Sequence, residues 1–287
     1  MKTITFKSVL AVLIALFSLN ANAYDVYIDG IYYNLSRKTR TAEVTYGKYP
    51  TNVVIPESFE YEGITYTVTA IEDGAFSYLD ANMLLLGDFV TSIKIPKTIK
   101  TMGSNAFRGC ENITSLIIPN SVTEIGFEAF RYCHNLPSVQ VPSSVKVIGG
   151  RAFQECYELA SVDIGEGIEE IGSYAFYRCY GLNSVICYAA NVPSTDSDAF
   201  VQSNYTSATL YVPSESVGSY KAADPWSGFG NIVALPEGTG IGNTIASGTA
   251  MFPTGIYNFK GEQQKMFQKG VNIIRMSDGT TKKIYVK

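Results

Sequence analysis

The chain has 287 residues, a formal net charge of −4 and 46% hydrophobic residues. That length holds one long repeat domain with a small appendage. A mildly acidic chain without basic runs argues against nucleic acid and anionic membrane as partners. Tyrosine is abundant, with 20 residues against a single tryptophan, which suits β-rich surfaces and secreted binding proteins.

Residues 1–23 read as a secretory signal peptide. Lys2 and Lys7 form a positive start, Val9 to Leu19 is almost wholly apolar, and Ala21-Asn22-Ala23 is a small-x-small cleavage site. The apolar core is short for a bilayer span. Cleavage after Ala23 removes two positive charges and takes the net charge from −4 to −6. Tyr24 to Tyr46 then alternates, with Asp29-Gly30 as its turn, so residues 24–49 are expected to form an N-terminal β cap.

Residues 50–236 carry the strongest signal. Ala106-Phe107, Ala129-Phe130, Ala152-Phe153 and Ala175-Phe176 are each followed by a cysteine: Cys110, Cys133, Cys156 and Cys179, spaced 23 residues apart. A fixed period of this size means a solenoid, in which each short unit buries its apolar side against the next. Within one unit, Leu116-Ile117-Ile118 and its equivalents alternate in-out-in, and a proline or Gly165 ends the strand. Val122 and Ile125 mark a second short strand or turn on another side of the coil. Phe130 and its counterparts plug the interior, each worth about 2–3 kcal/mol of burial.

The register runs back through Ile93 and Ile95 to Val53 and Ile55, across an insertion of 17 residues. Part of it, Tyr61 to Tyr66, reads as a hairpin, and the loop Tyr78 to Asp88 holds the apolar run Met83-Leu84-Leu85-Leu86. Forward it runs through Val185 and Cys187 to Leu210 and Val212, so Cys187 fills an inward strand slot. Ser219 to Phe229 is a helical segment laying Tyr220, Trp226 and Phe229 over the last coil. Residues 237–249 form a linker, and 250–287 a small C-terminal β module with a turn at Asp278-Gly279.

The unit Leu136-x-x-Val139-x-Val141-Pro142-x-Ser144-Val145-x-x-Ile148-Gly149-x-x-Ala152-Phe153-x-x-Cys156 resembles the BspA-type leucine-rich repeat of bacterial surface proteins. The opening Asp29-Gly30-Ile31-Tyr32-Tyr33 and the closing Tyr220 to Ile232 are similar to the ends of such proteins in Bacteroidetes. The C-terminal module is similar to β modules on exported proteins of that phylum, some of which sort or anchor their chains. The resemblance implies a secreted or outer-surface binding protein, an adhesin engaging host extracellular-matrix or plasma glycoproteins. It transfers no individual binding residue. No set of acid, base and nucleophile converges on one face of the repeats, so neither an enzyme nor a cofactor is expected. Glycan capture and a structural role in surface assembly are the other two readings.

Single residues bear on several chemistries. The repeat cysteines stack at about the ~4.8 Å strand spacing, inside the range a disulfide allows. Their parallel side chains favour free thiols acting as small hydrophobes. His134 follows Cys133, but that cysteine belongs to a structural column, and other repeats place Glu111, Tyr157 and Tyr180 where His134 stands. No metal-ligand spacing is present. Glu169-Glu170 point to opposite faces and read as solvated charge. The candidate ligand-binding face is the outward strand column Lys94, Ile117, Gln140, Asp163, Ile186 and Tyr211, beside a column of Ser92, Ser115, Ser138, Ser161, Ser184 and Thr209. Ile117, Ile186 and Tyr211 are its apolar exceptions.

Overall fold

A computed structural model describes residues 24–77, 90–235 and, further on, 253–258, 262–264, 270–276 and 281–286. The expected signal peptide, the loop Tyr78 to Asp88, the linker 237–249 and the Asp278-Gly279 turn lie outside the described residues.

The first strands, β1 (Val26–Ile28), β2 (Ile31–Ser36) and β3 (Thr41–Val44), form an antiparallel meander. Asp29 and Gly30 turn its first hairpin at φ of +49° and +85°, the two-residue geometry that matches strand twist. After β4 (Asn52–Val54) come β5 (Ser58–Tyr61) and β6 (Ile64–Ile71), the hairpin expected around Tyr61 to Tyr66. β6 pairs in parallel with β3, so the meander continues directly into the solenoid sheet.

Each coil then adds short strands. In chain order they are β7 (Ser92–Lys94), β8 (Thr101–Met102), β9 (Glu124–Ile125), β10 (Ser138–Val141) and β11 (Val147–Ile148). There follow β12 (Ser161–Ile164), β13 (Glu170–Ile171), β14 (Ser184–Cys187), β15 (Ser194–Thr195), β16 (Thr209–Val212) and β17 (Asn231–Ala234). They sort into two parallel ladders, β6-β8-β9-β11-β13-β15 and β10-β12-β14-β16-β17, with β4-β7 as a separate pair. The result is a β-solenoid of about eight turns.

One expected strand is absent: Thr114 to Ile118 has no regular pairing, which splits β7 from β10. Leu116 and Ile118 are still buried and Ile117 is 65% exposed. Alternation reports burial, and burial here holds without the hydrogen-bond ladder.

The interior is a stack of rings. Phe76, Phe107, Phe130, Phe153, Phe176 and Phe200 lie with centroids 5.1–5.4 Å apart and planes within 1–7° of parallel. This is the offset stacking that the ring quadrupole favours. Tyr49 covers the first ring, and Trp226 and Phe229 cross the last at 62° and 76°. The expected helix at Ser219 to Phe229 is two pieces, α1 (Val217–Ala222) and a 3-10 turn at Trp226–Gly228. Pro225, with no amide to donate, stands between them.

All five cysteines are free and buried. They are more than apolar filler. The thiols of Cys110, Cys133, Cys156 and Cys179 donate to the carbonyls of Phe76, Phe107, Phe130 and Phe153 at 3.2–3.4 Å. Each thiol thus ties its coil to the phenylalanine of the coil before.

The turn around each Ala-Phe pair carries an unusual backbone. Asn105, Glu128, Arg151 and Tyr174, immediately before the alanines, have φ of +54° to +58°. Tyr132, Glu155 and Arg178, two residues after the phenylalanines, have φ of +57° to +65°. A side chain in this region costs on the order of 1–2 kcal/mol. What holds it is a hydrogen-bond ladder between coils. Glu128, Phe130 and Tyr132 donate their amides to the carbonyls of Gly150, Ala152 and Gln154 at 2.8–3.0 Å, and Arg151, Phe153 and Glu155 repeat the pattern one coil on. At about 0.5–1.5 kcal/mol net apiece, these bonds roughly balance the strain, so ring burial decides the outcome.

Close approach is enforced at a second column, Gly103, Gly126, Gly149 and Gly172. A Cβ on Gly126 would fall 2.6 Å from the carbonyl carbon of Gly103, and one on Gly149 2.7 Å from that of Gly126. The C-terminal strands β18 (Pro253–Asn258), β19 (Gln263–Gln264), β20 (Gly270–Met276) and β21 (Thr281–Val286) form an antiparallel sheet in the order β19-β18-β20-β21.

Gly149→Ala should therefore destabilise the protein by about 1–3 kcal/mol, as overpacking against rigid backbone does. Gly218→Ala, in α1 with nothing within 4 Å of the new methyl, should melt at or above the parent temperature. Thermal denaturation followed by circular dichroism distinguishes the two. Equal melting temperatures would contradict the close-packed glycine column.

Candidate functional site

With Ala, Phe and Cys turned inward, the other positions of the same turn form a second surface, in which Glu128 and Gln154 are buried and the rest are partly or fully exposed. Over three coils they hold Glu128, Arg131, Tyr132 and His134; then Arg151, Gln154, Glu155 and Tyr157; then Tyr174, Tyr177, Arg178 and Tyr180. Tyrosine and arginine dominate, the residue types that concentrate binding energy at interfaces.

The face is pre-organised by its own contacts. Glu128 is buried and draws three guanidiniums: Arg131 at 2.6 Å, Arg108 at 3.3 Å and Arg151 at 3.4 Å. Arg131 also donates to the Tyr132 hydroxyl at 2.6 Å and lies 4.5 Å from that ring's centre. His134 stacks on Tyr157 at 4.5 Å and Tyr157 on Tyr180 at 5.5 Å, within 15° of parallel, and Tyr180 is 55% exposed. Burial works against the charged form of Glu155. Hydrogen bonds from Tyr157 and Gln154, with the charges of Arg178 and Arg131, outweigh it and hold the carboxyl below its ordinary range.

The Cys133-His134 pair resolves into two separate roles. The Cys133 thiol faces the core, bonded to the Phe107 carbonyl, and burial pushes its pKa well above the ordinary value. His134 faces out, with Nδ1 3.4 Å from Glu111. Cys187 sits in the core as a strand residue, 3.2 Å from the Tyr220 hydroxyl. Glu169 pairs with exposed Lys146 at 2.8 Å.

The strand column is in register where it is paired: Gln140 opposite Asp163, Asp163 opposite Ile186, Ile186 opposite Tyr211, and Val54 opposite Lys94. Its accessibility is uneven. Lys94 and Ile117 are exposed and Gln140 and Asp163 partly buried, but Ile186 and Tyr211 are only 7% and 8% exposed. The expectation that those two are exposed apolar exceptions is corrected. Alternation gives the direction of a side chain, not what stands beside it. Ile186 has Tyr211 as its ladder neighbour, and Tyr188 follows two residues later on the same side.

Sequence reasoning chose the strand column and passed over the turn face. A signal was available in the aromatic and arginine residues that surround the Ala-Phe-x-x-Cys units at Ala129, Ala152 and Ala175.

The fold and these repeated faces define a capped leucine-rich-repeat solenoid, a protein-interaction architecture. Residues 85–207 match the BspA type Leucine rich repeat region in six copies. A leucine-rich repeat protein of T. pallidum is 27% identical, with a TM-score of 0.47 over 56% of this chain and 71% of its own. The pneumococcal vaccine antigen PcpA is 20% identical, with a TM-score of 0.56 over 68% of this chain and 51% of its own, a likeness of fold. A leucine-rich repeat protein from Bacteroides ovatus is 17% identical, with a TM-score of 0.37 over 74% of this chain and 77% of its own. No curated protein matches the chain.

Asp163 offers a pH test of the strand side. Burial pushes its carboxyl from 3.8 up to about 7, against a lowering hydrogen bond from Gln140. The folded chain then holds a proton that the unfolded chain releases near pH 4, so this group's contribution to stability is lost as pH rises towards 7. Asp163→Asn should melt higher than the parent at pH 7, with the gap closing by about pH 4. A gap independent of pH would contradict the burial of this carboxyl.

Proposed function

We propose that the chain is a secreted or cell-surface bacterial adhesin that engages host extracellular-matrix or plasma glycoproteins through the turn face of its coils. The observation that carries this reading is the face of tyrosines and arginines around Tyr132, Tyr157, Tyr174, Tyr177 and Tyr180, held rigid by stacking and hydrogen bonds. Side chains fixed before binding lose little freedom on contact. Export is supported by the signal-peptide reading of residues 1–23, and a surface setting by the resemblance of the repeats. Among the described residues no helix is long and apolar enough to cross a membrane. The role is binding rather than catalysis.

The strand column is the competing surface, with Lys94 and Ile117 as its accessible members. Binding of the purified chain to immobilised matrix and plasma glycoproteins separates the two. Tyr157→Ala with Tyr180→Ala should weaken capture at least tenfold, and Ile117→Ser should leave it unchanged. The reverse pattern would move the site to the strand column. No saturable capture by the folded chain would overturn the adhesin reading.

A further inference from the structure

The ladder of short strands carries an outward row of its own, apart from the turn face. Asn34 stands opposite Glu43, Glu43 opposite Ala70, and Thr101, Glu124, Val147 and Glu170 continue in register. A groove of about 670 Å³ follows the first part of this row. Glu43, Thr101 and Glu124 of the row line it, together with Glu72, Asp73 and Phe127 just past the strand ends. Gly103, Gly126 and Gly149 line it too, with no side chains to fill the space. Phe127 is 46% exposed, and its neighbour Arg151, 5.8 Å from the ring centre, is already turned to Glu128.

Four carboxylates and no basic side chain line this groove. Ion pairs among the described residues engage Glu57, Glu62, Glu111, Glu128, Glu155 and Glu169, but none of these four. Neutral groups partner two of them. Asn34 donates to both oxygens of Glu72 at 2.9 and 3.0 Å, and the Ser104 amide donates to Asp73 at 2.7 Å. Burial, with a hydrogen bond and like charge from Glu72, raises the Glu43 carboxyl above its ordinary range, as happens when two carboxylates meet without a cation. Of the lysines beside the row, Lys146 is paired with Glu169 and Lys100 is exposed. Setting Lys100 and one shared proton against the four carboxylates still leaves two negative charges, and exposed Glu170 extends the sign along the row.

We propose that this groove docks a basic segment of a partner protein, its lysines or arginines on the four carboxylates and an apolar side chain against Phe127. The spread of the charges selects an extended cation over a compact one. Glu43 and Glu124 stand three ladder steps apart, about 14 Å at the strand spacing. An extended chain laid along the solenoid axis covers that span in about four residues. A divalent ion needs several oxygens around one point, and no three acidic side chains among the described residues are so grouped. A neutral or acidic ligand would leave the carboxylates unmatched. This surface is separate from the tyrosine-rich turn face and does not depend on that reading.

The test is fluorescence anisotropy of the purified chain with labelled octalysine and with an octapeptide of alternating lysine and leucine, at low and high salt, with spermine as a small competing cation. Saturable binding of both peptides is expected, weakening as salt is raised. Glu43→Gln with Glu124→Gln should cost at least tenfold. The net charge of −4 attracts any polycation, so Glu166→Gln with Glu215→Gln removes the same charge from exposed sites elsewhere and should change binding less than twofold. The lysine-leucine peptide should bind more tightly than octalysine, and Phe127→Ser should abolish that advantage. Tyr157→Ala with Tyr180→Ala should leave both peptides unaffected, which separates this groove from the turn face. Melting temperatures confirm that each variant folds. No saturable peptide binding, or equal losses in the two charge-removing pairs, would overturn the proposal. Spermine binding as tightly as octalysine would overturn the assignment of a peptide, and loss of peptide binding on removing the two tyrosines would overturn the location.

Discussion

The structure depends on one repeated contact, the stacking of each Ala-Phe turn on the next. Three backbone amides per turn reach the following coil, the ring between them lies within 7° of parallel to its neighbour, and a thiol binds back to the preceding coil. None of these is sufficient singly. The amide bonds are offset by the left-handed residues that aim them, and a lone turn leaves its phenylalanine in water. Stacking supplies both at once, which makes the coils cooperative neighbours and requires the two ends to be covered. Tyr49 at one end, and Trp226 with Phe229 at the other, meet that need with rings crossing or tilting over the stack.

The same contact separates scaffold from surface. Alanine, phenylalanine and cysteine are confined to the inside, and the glycine column leaves no room for a side chain where coils approach most closely. The residues between them carry no such constraint. Glu128, Arg151 and Tyr174 occupy equivalent places in successive coils at nearly the same φ, although they share neither charge nor shape. A backbone indifferent to side-chain identity at these places can display whatever a partner requires. Here it displays stacked tyrosines and arginines.

Much of this was legible in the sequence, and the misses have physical causes. The period, the inward phenylalanines, the free buried cysteines and the slot of Cys187 follow from spacing and alternation, because burial repeats with the coil. The thiol bonds were not legible, since their acceptors are carbonyls that only the stacked geometry brings near. The left-handed positions gave no signal, because Glu128, Tyr132 and Arg151 stand where glycine would announce such a turn. Alternation correctly turned Ile186 and Tyr211 outward but was silent about their large neighbours, so their burial was missed. Thr114 to Ile118 kept the strand pattern without the strand, a reminder that alternation reads burial and not pairing.

Native-state hydrogen exchange tests the central claim most directly, namely that the Ala-Phe turns form a continuous hydrogen-bonded ladder beneath the turn face. The amides of Phe107, Phe130, Phe153 and Phe176 should exchange slowly and with similar free energies, matching global unfolding, with those of Glu128, Tyr132, Arg151 and Glu155 protected alongside them. Rapid, loop-like exchange at these amides, with protection confined to the strand ladders, would contradict the account. The turn face would then be a set of independent loops rather than one rigid surface.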